Sequence, residues 1–305
     1  MESKHQWRGW IFLAPTLILM AVFTFFPFFK TLGMAFLNGY DPLLGVHQKF
    51  SVGFQNFIDA FNYPQFKQCL QNTIIVTIVT VPVSTILALL IAVALNSIKP
   101  FQKFLQTIFF VPYITNTIAI GMVFAIMFTM IGTPKTVTTP GVINSILGVN
   151  INWINIGKIG GSRSTYFTKM FVLCVYIIWN ALPFKILILL GALQSVNKQY
   201  YDAAKVDCAS RFRTFMKITV PMLSPMLAYV LITGFIGSFK EYTASVAIFG
   251  QQLNTFEMNT VVGYIYDQIG LAKYGRAAAG ALILFMIILA FTIFNNWVSS
   301  KKVHY

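Results

Sequence analysis

FLQTIFFVPYITNTIAIGMVFAIMFTMI, residues 104–131, runs from Phe104 to Ile131 without one charged side chain. An α-helix rises about 1.5 Å per residue and a bilayer's hydrocarbon core is about 30 Å thick, so this run is long enough to cross it. A soluble helix of the same length would interleave charges on its outer face. Five further stretches read the same way, at about 10–29, 72–95, 170–193, 222–248 and 277–298. Lys185 is the one charge inside the fourth of the six, and Lys240 and Glu241 stand together near the far end of the fifth.

The whole chain agrees. Its 305 residues are 57% apolar and only 10% charged, with a mean hydropathy of +0.71. A soluble domain carries about 25% charged residues. Disorder, a coiled coil and an ordinary cytosolic enzyme are excluded, and an all-α integral membrane protein with six transmembrane helices is expected, built as a single transmembrane domain over 1–305. Lys4 and Arg8 before the first run resemble a signal peptide, but the run is too long for one and no small-residue cleavage site follows Pro27, so a retained helix is expected. Pro82, Pro112, Pro183 and Pro225 mark positions where spans are expected to kink.

Basic residues outnumber acidic ones 22 to 8. In a soluble protein that excess would suggest nucleic acid; here it reads as topology and contact with anionic lipid. The segments 1–9, 96–103, 194–221 and 299–305 carry Lys4, Arg8, Lys99, Lys103, Lys198, Lys205, Arg211, Arg213, Lys217, Lys301 and Lys302. Their basic density is more than twice that of 30–69, 132–169 and 249–276. The positive-inside rule then places both termini in the cytoplasm. Cys69, Cys174 and Cys208 form neither a metal motif nor a disulfide framework.

Much chemistry is missing. No GxxxxGK[ST] phosphate loop is present, His5, His47 and His304 lie outside the spans, and Glu241 is the one acid within them. An ion-coupled carrier needs a relay of buried ionisable groups, and a membrane enzyme needs a catalytic constellation. What remains is a passage lined by aromatics, hydroxyls and amides, suited to a polar, neutral solute.

The longest inside segment, 194–221, leads into Pro225 and reads QSVNKQYYDAAKVDCASRFRTFMKITVP up to Pro221. It is expected to form a short amphipathic helix with Asp202 near its positive start and an i,i+4 pair between Asp207 and Arg211. Ala203, Ala204 and Ala209 are small enough for another backbone to approach. A solvated surface helix and a docking helix both fit these features.

The run Asp202-Ala203-Ala204-x-x-Asp207-x-Ala209, followed by Phe215, Ile218, Pro221 and Pro225, resembles the EAA loop of binding-protein-dependent ABC importers. Asp202 replaces the family's Glu, and Cys208 stands where the family has Gly. Phe12-Leu13-Ala14-Pro15, Val52-Gly53-Phe54-x-Asn56-Phe57, Gln71-Asn72-Thr73, Gly141-Val142-Ile143-Asn144 with Asn152-Trp153, and Tyr274-Gly275-x-Ala277-Ala278 are similar to carbohydrate permeases of the maltose and glycerol-3-phosphate type. The opening run and the six-span length suggest the first of their two permease partners. The family's glycine-rich stretch after span five is replaced by Ile248-Phe249-Gly250-Gln251-Gln252.

The resemblance implies a type I importer permease in a bacterial membrane, paired with a second, homologous permease, an ATPase dimer and an external substrate-binding protein. ATP and Mg would reside on the ATPase, leaving this chain without a cofactor or catalytic residue. It implies coupling through Asp202, Ala203, Ala204, Asp207, Cys208, Ala209, Ile218 and Pro221. By local resemblance to the middle spans of the maltose-type relatives, sugar contacts are expected from Tyr113, Thr117, Asn180, Phe184, Ser238 and Glu241, residue types that suit a saccharide's apolar faces and hydroxyls. Lys185 is expensive in mid-span unless it meets an anionic substrate, pairs with Glu241 or is satisfied between helices. A permease for another solute and, from a different class, an ion-coupled secondary transporter remain as alternatives.

Overall fold

The computed structural model describes residues 6–40, 51–98 and 102–302. Lys4, Lys99 and the three histidines lie outside the described residues. Four helices are long and apolar enough to cross a membrane, Gly9–Phe36, Pro64–Ser97, Tyr166–Ser195 and Tyr274–Val298, and two bent pairs bring the spans to six if each pair is one span.

In chain order the first span joins α1 (Gln6–Met20) to α2 (Phe26–Phe36) through a π-turn at Ala21–Phe25. That wide turn precedes Pro27, which has no N–H for the preceding turn. Then come α3 (Gln55–Asn62) and α4 (Pro64–Ser97), which continues through Pro82. The third span, expected over 104–131 with a kink at Pro112, is broken just beyond that proline. It consists of α5 (Gln102–Ile114) and α6 (Thr117–Phe128), bent by 96° at Thr115–Asn116. Asn116 is extended, and its side chain accepts the Ile118 and Ala119 amides at 2.9 and 3.2 Å, so it restarts the helix in a new direction.

After α7 (Val142–Leu147), α8 (Tyr166–Ser195) begins at a reciprocal Thr165–Thr168 capping box and runs through Pro183. The following segment holds α9 (Lys198–Val206), α10 (Arg211–Thr214), a π-turn at Phe215–Thr219 and α11 (Val220–Met222). The fifth span is also broken. A 68° bend separates 211–222 from α12 (Ser224–Phe239), where Pro225 opens the new helix, and Lys240–Tyr242 divide α12 from α13 (Thr243–Phe249). Finally come α14 (Leu253–Phe256), α15 (Val261–Gly270) and α16 (Tyr274–Lys302).

The chain gathers into two compact units, one within Met1–Lys67 and Tyr264–Phe285, the other within Gln68–Gly263 and Met286–Tyr305. In the first, buried Asn56 donates to the carbonyls of Ala35 and Leu37, both at 3.0 Å, and so finishes the end of α2. Gly275 lies so close to Asn56 that a Cβ there would meet its amide nitrogen at 2.6 Å, while Ala278 and Ala279 pack on Ala35. Arg276 holds Asp59 at 2.6 Å.

In the second unit, α6 and α13 cross at contact distance. A Cβ on Gly121 would collide with the Cβ of Ala247. Fully buried Asn72 donates to the carbonyls of Glu257 (2.9 Å) and Asn259 (2.8 Å) and accepts the Tyr166 hydroxyl at 2.8 Å. Thr73 accepts the Val261 amide at 3.1 Å. Asn144 is held between the Ile151 carbonyl and the Trp153 indole. These polar staples fix irregular backbone where no regular ladder exists to satisfy it.

Candidate functional site

In the second unit α4, α5, α8 and α12 line a cavity of about 270 Å³. From α4 come Thr80, Val81 and Ser84, and from α5 comes Tyr113. From α8 come Ile177, Asn180, Ala181, Phe184 and Lys185; from α12 come Val230, Thr233, Gly234, Gly237 and Ser238, with Glu241 just beyond its end. The break after Ile114 leaves Tyr113 near the end of α5, where its ring stacks on Phe184 with centroids 5.7 Å apart and planes 17° from parallel. Both rings stay partly open, 48% exposed for Tyr113 and 38% for Phe184, so they form an apolar face rather than a sealed core contact. Pro183 supplies no N–H to the carbonyl of Trp179, which loosens the α8 backbone beside Asn180.

The polar side is built from hydroxyls. The Ser238 and Thr80 hydroxyls lie 3.4 Å apart. Lys185 is buried, and its Nζ donates to the Ser84 hydroxyl at 2.7 Å, the Thr85 hydroxyl at 3.0 Å and the Val81 carbonyl at 3.3 Å. Glu241 accepts the Ala244 amide at 2.8 Å, within the first turn of α13.

Six of the seven residues read from the sequence as substrate contacts therefore meet in one cavity: Tyr113, Asn180, Phe184, Lys185, Ser238 and Glu241. Thr117 does not join them. It starts α6 beyond the 96° bend, and its carbonyl accepts the Tyr176 hydroxyl at 2.6 Å. Nor do Lys185 and Glu241 pair: the ion pairs among the described residues are Lys169–Glu257, Lys205–Asp202 and Arg276–Asp59. Thr80, Ser84 and Thr233 also line the cavity and were not singled out from the sequence. For Thr80 and Ser84 a signal was present: with Thr73 and Thr77 they form a buried hydroxyl stripe at helical spacing along α4.

The segment 194–221 also departs from its expected details. Asp202 sits in mid-helix rather than in the first turn of α9, and its carboxylate takes Lys205 at 2.8 Å, which holds it below the ordinary carboxylate range. The helix ends at Val206, so Asp207 and Arg211 fall on different elements and form no pair. Cys208 has φ +49; its amide reaches the Lys205 carbonyl at 3.0 Å, and Ala209's reaches that of Ala204 at 2.9 Å. This is a complete Schellman turn, the position where glycine is favoured. Asp202 and Ala203 face outward, Ala204 is buried within this chain, and Val206 and Phe212 are 84% and 73% exposed.

The family model of binding-protein-dependent transport system inner membrane components matches residues 60–304. The chain belongs to that family. It is an ABC transporter permease with a membrane location. It is 30% identical to the arabinooligosaccharides transport system permease of Bacillus subtilis, over 94% of this chain and 86% of that protein. It is 29% identical to the lactose transport system permease of Rhizobium radiobacter, over 96% and 95%. In fold it is similar to a chain of a bacterial ABC transporter involved in import of the acidic polysaccharide alginate, with a TM-score of 0.77 at 23% identity, covering 99% of this chain and 98% of that one. Among the permease motifs outside 194–221, Asn56, Asn72, Asn144 and Gly275 have structural work, holding segments of backbone together.

Proposed function

We propose that this permease passes a saccharide into the cytoplasm through the cavity between α4, α5, α8 and α12. The observation that carries the reading is the stacked, partly open Tyr113–Phe184 pair lining the same cavity as Thr80, Ser84, Asn180, Thr233 and Ser238. A sugar ring offers apolar C–H faces to such rings and hydroxyls to such polar groups, a combination that no simple ion requires. The solutes for which the two relatives are named, arabinooligosaccharides and lactose, support the same class.

In this reading the chain is a transport subunit. ATP and Mg belong to a separate ATPase dimer, a second permease completes the passage, and an external binding protein delivers the sugar. Both termini lie in the cytoplasm, on the side of α9. Docking to the ATPase runs through Asp202, Ala203, Asp207, Cys208 and Ala209 with the exposed Val206 and Pro221, while buried Ala204 and half-buried Ile218 hold the segment's shape. ATP-driven closure then opens the cavity alternately to either side.

The test is uptake of a labelled oligosaccharide by the full importer in proteoliposomes. Tyr113→Ala and Phe184→Ala are each expected to weaken uptake about 3- to 10-fold, the worth of an aromatic contact, with the complex still assembled. Unchanged uptake in both variants would remove the cavity from the pathway. Ala203→Trp is expected to release the ATPase on co-purification, and retention of both the ATPase and its stimulated turnover would sink the docking assignment.

A further inference from the structure

The partners around Lys185 are those an ammonium would take. Ser84 uses its own hydroxyl proton on the Thr80 carbonyl at 2.5 Å, and Thr85 uses its on the Val81 carbonyl at 2.7 Å. Both oxygens therefore face Lys185 as acceptors, and the Val81 carbonyl is a third. Donating to all three would use the three N–H groups of an ammonium, the form these partners suit. All three partners are neutral, and no carboxylate among the described residues lies within ion-pair distance of it. Glu241, the one acid lining the cavity, accepts the Ala244 amide at the start of α13 and forms no ion pair with Lys185. The cavity wall thus holds a buried amino group with no ion-pair partner among the described residues, and a buried charge calls for compensation.

We propose that the cavity takes an anionic saccharide, one bearing a carboxylate or phosphate, and that Lys185 selects it by acting as a fixed positive charge behind Ser84. The proposal rests on the saccharide reading above and adds the charge of the substrate. Nothing in it requires Lys185 to leave its present partners. An anion in the cavity is attracted through space, while its ring packs on Tyr113 and Phe184.

Equilibrium binding to the purified full permease–ATPase complex tests this with three labelled probes: trigalacturonate, the neutral galactose trimer of matched linkage, and that trimer with a terminal phosphate. At low salt the wild-type complex is expected to bind at least one charged probe about tenfold more tightly than the neutral one, the scale of one partly screened charge pair. Whichever charged probe gains identifies carboxylate or phosphate as the source. Lys185→Met is expected to abolish the preference, read as the ratio of charged-probe to neutral-probe binding, and Lys185→Arg to keep it. Neutral binding equal to or tighter than both charged probes in the wild type overturns the proposal while leaving the saccharide reading intact. Equal loss of all probes in Lys185→Met makes Lys185 a clamp between α8 and α4 and also overturns it. Failure of all three probes on the wild type overturns both readings.

Discussion

Replacing Cys208 by glycine is expected to stabilise the end of α9. Cys208 sits at φ +49 one position past the helix cap, and both Schellman hydrogen bonds are already formed there, so glycine changes the backbone's cost and none of its bonds. The left-handed conformation costs a residue with a Cβ about 1–2 kcal/mol. Glycine escapes that but loses about 0.5–1 kcal/mol more conformational freedom on folding, which leaves a net gain of about 0.5–1 kcal/mol. That corresponds to a roughly 2- to 5-fold slower local opening. Hydrogen exchange followed by mass spectrometry on the peptide covering 198–209 in the purified complex reads this directly. Cys208→Ala keeps the Cβ and removes the thiol, so it should exchange like the wild type, while Cys208→Val should exchange faster because a branched Cβ tolerates this conformation least. Equal protection in Cys208→Gly and Cys208→Ala would refute the reasoning, since the thiol rather than the backbone would then be responsible.

Gly121→Val is expected to force α6 away from α13 at Ala247 and to cost about 1–3 kcal/mol, read as a lower unfolding temperature of the purified complex. Asn72→Leu strips the Glu257 and Asn259 carbonyls and the Tyr166 hydroxyl of their partner and should destabilise by about 2–4 kcal/mol, whereas Tyr166→Phe, which spares the two backbone bonds, should cost about 1 kcal/mol by the same melt. The Asp59 carboxyl is held below the ordinary carboxylate range by the Gln55 amide and by Arg276, against a smaller opposing effect of burial. Its stabilisation is therefore complete above the ordinary carboxylate pKa and fades as pH falls through the lowered one. Asp59→Asn should flatten the acid side of the stability profile below about pH 4, by under about 1 kcal/mol because the pair is partly exposed. Ala204→Trp, unlike Ala203→Trp, should impair folding of this chain itself, because Ala204 is buried within it; normal yield of assembled complex would contradict that.

Composition and the length of uncharged runs settled what is set by solvent alone: a mainly helical membrane chain with its polar segments between spans. Lipid leaves a backbone few ways to satisfy its own N–H and C=O groups, so local sequence decides that much. The residue pattern over 202–225 was also legible, because its spacing is local. Even the odd residue there, Cys208, became intelligible once its φ was known.

What local pattern could not supply was direction. An uncharged run over 104–131 looks like one helix, yet Asn116 caps a new start and turns it by 96°, which keeps Tyr113 on the cavity and sends Thr117 to support Tyr176. The fate of Lys185 likewise depended on residues about a hundred positions away, Val81, Ser84 and Thr85, which no spacing rule connects to it. The sequence by itself determined that a charge was buried in a span. Only the tertiary structure decided which neighbours satisfy it and that Glu241 is not among them, because pairing inside a helical bundle is set by how helices distant in sequence pack.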